Sequence, residues 1–239
     1  MLLKTKGLII HSLKYSESSI IVKIFSREYG LKSYITRSSR GKRTKNKANL
    51  FQPLNIVNLV VKHSDKVSLQ KISAIEIASP YNNLPYHDEK RFIAIFINEV
   101  LHRSLQEEHP DSELYDFIEK SLLILDLTEA NYANFHLLFM MQLSRYLGFY
   151  PQGSFSSNTP YFDLQEGVFV ANEPMHLHFL DNELCDLFNN LLNLNYDNTL
   201  RLKRDKRNKL LNSLVLYYQL HITTFKEIKS KTILQEIID

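Results

Sequence analysis

The hydrophobic period of this chain changes once, and that change separates what can fold as sheet from what can fold as helix. Towards the start, apolar residues recur at every second position. Ile20, Val22 and Ile24 alternate with Ile21, Lys23 and Phe25; Leu54, Ile56 and Val60 alternate with Val57, Leu59 and Val61. With Gly7 to Leu13, Leu31 to Thr36 and Val67 to Ile77, this makes five strand-like runs, rich in side chains that suit a half-buried pleated surface. Ser79-Pro80-Tyr81-Asn82-Asn83-Leu84-Pro85 then interrupts the pattern with two prolines and two asparagines. Beyond it the period is helical. Phe92, Phe96, Val100 and Leu101 share one side of a helix, and Leu114, Phe117, Ile118, Ser121, Leu122 and Leu125 make the stripe of a second. A third runs from about Tyr132 to Leu147, apolar nearly all round at its centre and stopped by Gly148 and Pro151. Helices resume near Asp181 to Asn193 and Leu200 to Ile222.

The fold class is therefore α+β, with a β domain over 1–80 and a mainly helical domain over 81–239. Five short antiparallel strands in about 80 residues suggest a small Greek-key barrel, for which the OB-fold is the nearest analogy. Between Gln152 and Pro174 helical periodicity lapses, and Tyr161 to Asp163 with Gly167 to Val170 predict a small hairpin.

One connection between the early strands stands apart. Arg37 to Lys47, RSSRGKRTKNK, holds Arg37, Arg40, Lys42, Arg43, Lys45 and Lys47, no acid and no apolar residue. Such a segment has nothing to bury, and a cationic loop held at both ends by strands suits phosphate binding. The overall charge of +3 hides a polarised molecule: residues 1–80 carry 15 Lys or Arg against 4 acids, and residues 81–239 carry 14 against 22. A polyanionic partner explains that split better than chance. Nucleic acid is preferred to a membrane surface because the basic loop has no adjoining apolar face. On the strand before it, Lys32 adds charge and Tyr34 a candidate stacking face. A second cationic group, Lys203, Arg204 and Arg207, marks where the stripe of the long helix leaves the core; it faces either the acids around Glu107, Glu108, Asp111, Glu113 and Asp116 or a second polyanion.

Catalytic signatures are missing. There is no G-x-G-x-x-G, P-loop, H-E-x-x-H or G-x-S-x-G. The single Cys185 excludes an internal disulfide and a cysteine cage for zinc. His176 and His178 flank Leu177 at a spacing that can chelate, but nothing nearby completes a metal set, so a surface or packing role is expected. These absences favour a binding protein over an enzyme and call for no cofactor. No run approaches the roughly 18 apolar residues of a membrane span, so the expected location is the cytoplasm.

The order of several short motifs resembles the RecO family. Tyr15-Ser16-Glu17-Ser18-Ser19 is similar to its aromatic-S-E segment and Phe25-Ser26-Arg27-Glu28-Tyr29-Gly30 to its F-T-x-E-x-G. Leu50-Phe51-Gln52-Pro53-Leu54 resembles L-Q-P-F, Asn98-Glu99-Val100-Leu101 resembles N-E-L-L, and Leu147-Gly148-Phe149-Tyr150-Pro151 resembles L-G-Y-x-P. The resemblance implies an N-terminal OB-fold, a helical domain, binding of single- and double-stranded DNA, and strand annealing. It also implies assistance to RecA loading on strands covered by single-stranded-DNA-binding protein, contact with that protein's C-terminal tail, a RecR partner and association with the nucleoid. Many members carry two cysteine pairs as a zinc site. Here residues 150–178 would be a degenerate, cysteine-free counterpart held by Phe155, Tyr161, Phe162, Val168 and Phe169. The rival expectation is an RNA-binding or ribosome-assembly protein using the same barrel.

Overall fold

The computed structural model describes residues 2–17, 19–37, 49–62, 67–105, 109–196 and 201–238. Two compact units are present, one of residues 1–85 with 105–123, the other of residues 86–104 with 124–239.

In the first unit, β1 (Leu2–Ser16), β2 (Ser19–Ser26), β3 (Gly30–Arg37), β4 (Ile56–Lys62) and β5 (Leu69–Ser79) close into a barrel of order β1-β2-β3-β5-β4. This is the OB-fold that the alternating pattern suggests. Two expectations need correction. The strands are not all short, since β1 has 15 residues, pairing with β4 through its first half and with β2 through its second. Nor are they all antiparallel: β3 and β5 run parallel, from Ser33 opposite Leu69 to Ile35 opposite Lys71. An odd number of strands cannot alternate direction all the way round a closed ring, so one neighbouring pair must be parallel.

Gly7 stands where β1 changes partners, opposite both Ser26 and Val57. A Cβ there would lie 2.6 Å from the Ile24 Cγ2 methyl, so the close approach needs glycine. Ile9, Val22, Ile24, Tyr34, Val57, Leu59 and Val61 fill the interior together with Phe51. Phe51 and Leu54 are buried from the Leu50-Phe51-Gln52-Pro53-Leu54 segment. Leu54 takes a φ of 67°, a costly conformation for a side chain of this size. It is held by its N–H donating to Ile9 O at 2.7 Å and by the Tyr81 hydroxyl donating to its carbonyl at 2.7 Å. This motif packs the barrel.

Of the helices, α1 (Asp88–Ser104) belongs to the second unit, and α2 (Ser112–Leu127) gives its residues up to 123 to the first. There Tyr115 sets its ring 6.0 Å from Phe25. In the second unit a 3-10 turn leads into α3 (Phe135–Tyr146), whose residues from Phe135 to Met141 are all buried, as its unbroken apolar centre predicts. Gly148, at φ 85°, reverses the chain after α3, and the Phe149 N–H returns to Ser144 O. That turn places the Phe149 ring 5.5 Å from Tyr217, 4.9 Å from Tyr218 and 5.2 Å from His221.

β6 (Tyr161–Asp163) and β7 (Val168–Val170) form the expected hairpin, and β8 (Phe179–Leu180) adds a third strand in the order β7-β6-β8. α4 (Asn182–Leu192) and α5 (Arg204–His221) follow, then α6 (Ser230–Ile237), which periodicity did not signal. Glu99 of the N-E-V-L motif accepts from the backbone N–H groups of Lys229 and Ser230 and from the Ser230 hydroxyl, so it caps the start of α6 from a distance. No helix among the described residues is long and apolar enough to cross a membrane.

Candidate nucleic-acid interface

Strand pairing sorts the barrel's residues into rows. Ser12, Val22, Tyr34 and Gln70 lie opposite one another across β1, β2, β3 and β5, and the last three are buried. Because side chains alternate along a strand, the neighbouring rows point outward. One is His11, Lys23, Ser33 and Leu69; the other is Leu13, Ile21, Ile35 and Lys71. Lys23, Lys71 and His11 are exposed on this face. Ile21, Lys23, Leu31, Lys32, Ser33 and Leu69, with Ser68, line a groove of about 370 Å³ here. Low-lying apolar side chains beside exposed ammonium groups can hold a phosphodiester chain and cover what hangs from it.

The residues expected from sequence fare differently. Tyr34 is 0% exposed, and burial holds its phenol above the ordinary value. Its ring therefore offers no face to a base, correcting the stacking role. Lys32, opposite Ile24 in the row that continues from Ile9, is half-buried and borders the groove. Arg37 ends β3 opposite Ser19, so the strand leads from this face directly into the basic segment. Arg40, Lys42, Arg43, Lys45 and Lys47 lie outside the described residues.

Two cations of the same unit are matched by acids of α2. Lys6 pairs with Glu119, and Arg27 holds Asp116 through two hydrogen bonds, Nε at 2.7 Å and Nη2 at 2.9 Å. The hydrogen bonds from Arg27 pull the Asp116 carboxyl below its usual range. Lys6 and Arg27 are thus neutralised along α2, whereas Lys23 and Lys71 stay exposed on the β1-β2-β3-β5 face.

Two cations of the cluster in the second unit are engaged by acceptors of that unit. Arg207 is 4% exposed, and its guanidinium donates to Asn134 Oδ1 at 2.8 Å, Ile238 O at 2.9 Å and Leu202 O at 3.1 Å. Arg204 donates to the carbonyls of Gln235 and Glu236, where the end of α6 presents its partial negative charge. Lys203 is exposed beside them and precedes α5. Of the acidic residues named with them, Asp116 is held by Arg27 and Asp111 caps α2 at Leu114 N–H, and Glu107 and Glu108 lie outside the described residues. Arg207 also bears on its neighbour His136, which burial and this nearby cation push down to about 3.

Aromatic packing organises residues 150–178. Phe162 is fully buried, with ring centroids 4.9 Å from Phe169, 4.6 Å from Phe188 and 5.9 Å from Tyr217. Tyr161 meets Phe179 edge-on, Val168 pairs with Asp163 across the hairpin, and the Phe155 N–H donates to Asn189 Oδ1. His176 has a partner sequence spacing did not reveal, Asp163 Oδ2 at 3.2 Å, while Asp163 Oδ1 accepts from the N–H groups of Gln165 and Glu166 in the turn. Among the described residues no three His, Cys, Asp or Glu side chains converge for a metal. Cys185 is buried, and burial raises its thiol to about 12, an inert setting.

A closed OB barrel with a lysine-bearing outer face, followed by a helical region, defines an OB-fold protein of two units. The family models described as Recombination protein O N terminal and Recombination protein O C terminal match residues 1–81 and 89–231. Similar proteins include the DNA repair protein RecO of Flavobacterium psychrophilum, 37% identical over 99% of both chains. The proteins of that name from Azobacteroides pseudotrichonymphae, 34% identical over the whole of both, and Phocaeicola vulgatus, 34% identical over 99% of both, are also similar. The chain belongs to the RecO family of DNA repair proteins.

Proposed function

We propose that this RecO-family protein mediates recombinational repair without covalent chemistry. It binds single- and double-stranded DNA on the barrel, promotes annealing of complementary strands, and assists RecA loading on strands covered by single-stranded-DNA-binding protein. The observation that carries this is the exposed Lys23 and Lys71 face whose strand β3 runs into the basic segment. Neutralising the phosphates of two strands removes the repulsion that keeps complements apart, so annealing needs no nucleotide or cofactor. Family membership supports RecR and the tail of single-stranded-DNA-binding protein as partners, and a cytoplasmic, nucleoid-associated setting.

The test is DNA binding as a function of salt, followed by annealing with and without single-stranded-DNA-binding protein. If about five phosphates are neutralised, log K against log salt for single strands slopes at roughly −3 to −4. Changing Arg40, Lys42, Arg43 and Lys45 together to Ala flattens that slope and weakens binding. A salt-independent affinity, or one untouched by the fourfold change, overturns the proposal. Preference for RNA over DNA of matched sequence would instead support the ribosome-assembly alternative.

A further inference from the structure

The second unit contains a stretch whose charge is opposite to that of the barrel face. Residues 146–200 hold no Lys or Arg and seven acids. Within it, in the loop that enters β8, Met175 and Leu177 stand in solvent at 108% and 93% exposure, above every other large apolar side chain among the described residues. The residue between them anchors the loop. His176 donates from Nε2 to Asp163 Oδ2 at 3.2 Å, while its Nδ1 accepts from the His178 N–H at 3.2 Å, two bonds that a single tautomer satisfies. The Leu164 N–H donates to His178 O at 2.9 Å and ties the same loop to the end of β6. Two apolar side chains are thus held out in water by the loop's own hydrogen bonds, which marks a contact surface. Of the acids around it, Asp163 is spent in the loop and Glu183 is met by Lys206, while Glu166 and Glu173 stand exposed.

The acids decide what can cover this loop. A nucleic-acid strand or an anionic membrane is repelled by them, so the partner must present aliphatic side chains among cations. The chain carries such a surface itself. Leu13, Ile21 and Ile35 form a row across β1, β2 and β3 that ends at Lys71 on β5, and the row beside it presents His11 and Lys23, with no acid in either. We propose that the Met175 to Leu177 loop of one copy docks on the barrel face of a second copy, apolar side chains against the apolar row and Glu166 and Glu173 against Lys23 and Lys71. The two surfaces differ, so the contact is heterologous: each copy keeps one half free, and copies add head to tail. A contact this small is weak and forms only where the chain is concentrated. Because it covers cations that the proposed DNA binding uses, a strand and a second copy compete for one face, and self-association is a storage form that DNA disperses. That competition rests on the DNA-binding proposal; the contact between copies does not.

The experiment is sedimentation velocity of the full chain at low salt over a wide range of concentration, first without nucleic acid. The wild-type chain is expected to sediment faster as its concentration rises. Met175→Ser with Leu177→Ser, both fully exposed so that thermal unfolding should not change, raises the self-association Kd about tenfold or more. Lys23→Glu with Lys71→Glu does the same from the other side of the contact. Mixing the two double variants in equal amounts then restores a complex of one copy of each, because each keeps the half that the other lacks. A wild-type chain that stays monomeric at every concentration, self-association untouched by either double variant, or a mixture that forms no complex overturns the proposal. Oligothymidine added to the concentrated wild-type chain should disperse the assembly, and an assembly that persists with the strand bound overturns it as well. If oligothymidine does not bind at all, the DNA-binding proposal falls while the contact between copies stands on the mixing result.

Discussion

Positive charge is used in opposite ways at two places in this molecule. On the barrel, Lys23 and Lys71 stand exposed on the outer side of a sheet, whereas Arg204 and Arg207 of α5 are spent on carbonyl oxygens of their own unit. In sequence the second group is the more conspicuous, a run rich in cations from Lys203 to Arg207, while Lys23 and Lys71 are single cations within strands. What separates them is whether the donors have somewhere internal to go: a helix end offers carbonyls that a sheet face does not. A basic cluster at the start of a helix, within reach of another helix's end, is thus weak ground for a ligand site.

The sharpest way to break the contrast is Arg207→Met. It leaves Asn134 Oδ1 and the Ile238 carbonyl without a buried donor, and we expect about 3 kcal/mol of lost stability in urea unfolding, with DNA affinity of the folded protein unchanged. Loss of DNA binding without loss of stability would return Arg207 to the ligand side of the comparison.

Next in size is a pH effect from the same neighbourhood. The His136 side chain titrates near 6.5 when unfolded and at about 3 when folded, because burial and Arg207 disfavour its charged form. The unfolded chain therefore binds the extra proton first. Stability is full above pH 6.5 and falls with acidity towards pH 3, by up to about 1.4 kcal/mol per pH unit. Between pH 6.5 and 5, before most carboxylates titrate, urea midpoints should decline in the native protein and much less in His136→Leu. Equal declines would remove His136 as the cause.

The smallest effect is expected for Asp116→Asn, which breaks an exposed pair with Arg27. Unfolding midpoints should barely move and should converge with the native protein in high salt. A large loss would mean that the barrel's cations depend on α2 more than their exposure suggests.

Much of the architecture could be read from periodicity. The five strands and the five longer helices lie where the two periods put them, because burial on one face leaves its trace at every second or every third to fourth residue. Tyr34 was harder. In β3 both registers, Leu31-Ser33-Ile35 and Lys32-Tyr34-Thr36, mix apolar and polar residues, so the pattern does not say which faces inward. Only pairing with Val22 decides it. The same ambiguity hid the apolar outer row, because Ile21 and Ile35 look like core residues until their partners are known. α6 escaped because its eight residues bury only Leu234 deeply and depend on Glu99, 130 residues away, for their start. The motifs shared with the family turned out to be structural in part: L-F-Q-P-L packs the barrel, N-E-V-L caps a helix, and L-G-F-Y-P reverses the chain into an aromatic cluster.

That remote capping has a genetic consequence. A helix of eight residues is too short to persist by its own backbone bonds, and here it is gripped at its first turn by a carboxylate and at its last by two guanidinium groups. Removing Ser230 to Ile238 would strand a half-buried anion and a deeply buried cation at once. Lesions in this stretch should therefore behave as whole-protein losses, cleared by proteolysis, instead of as mild truncations.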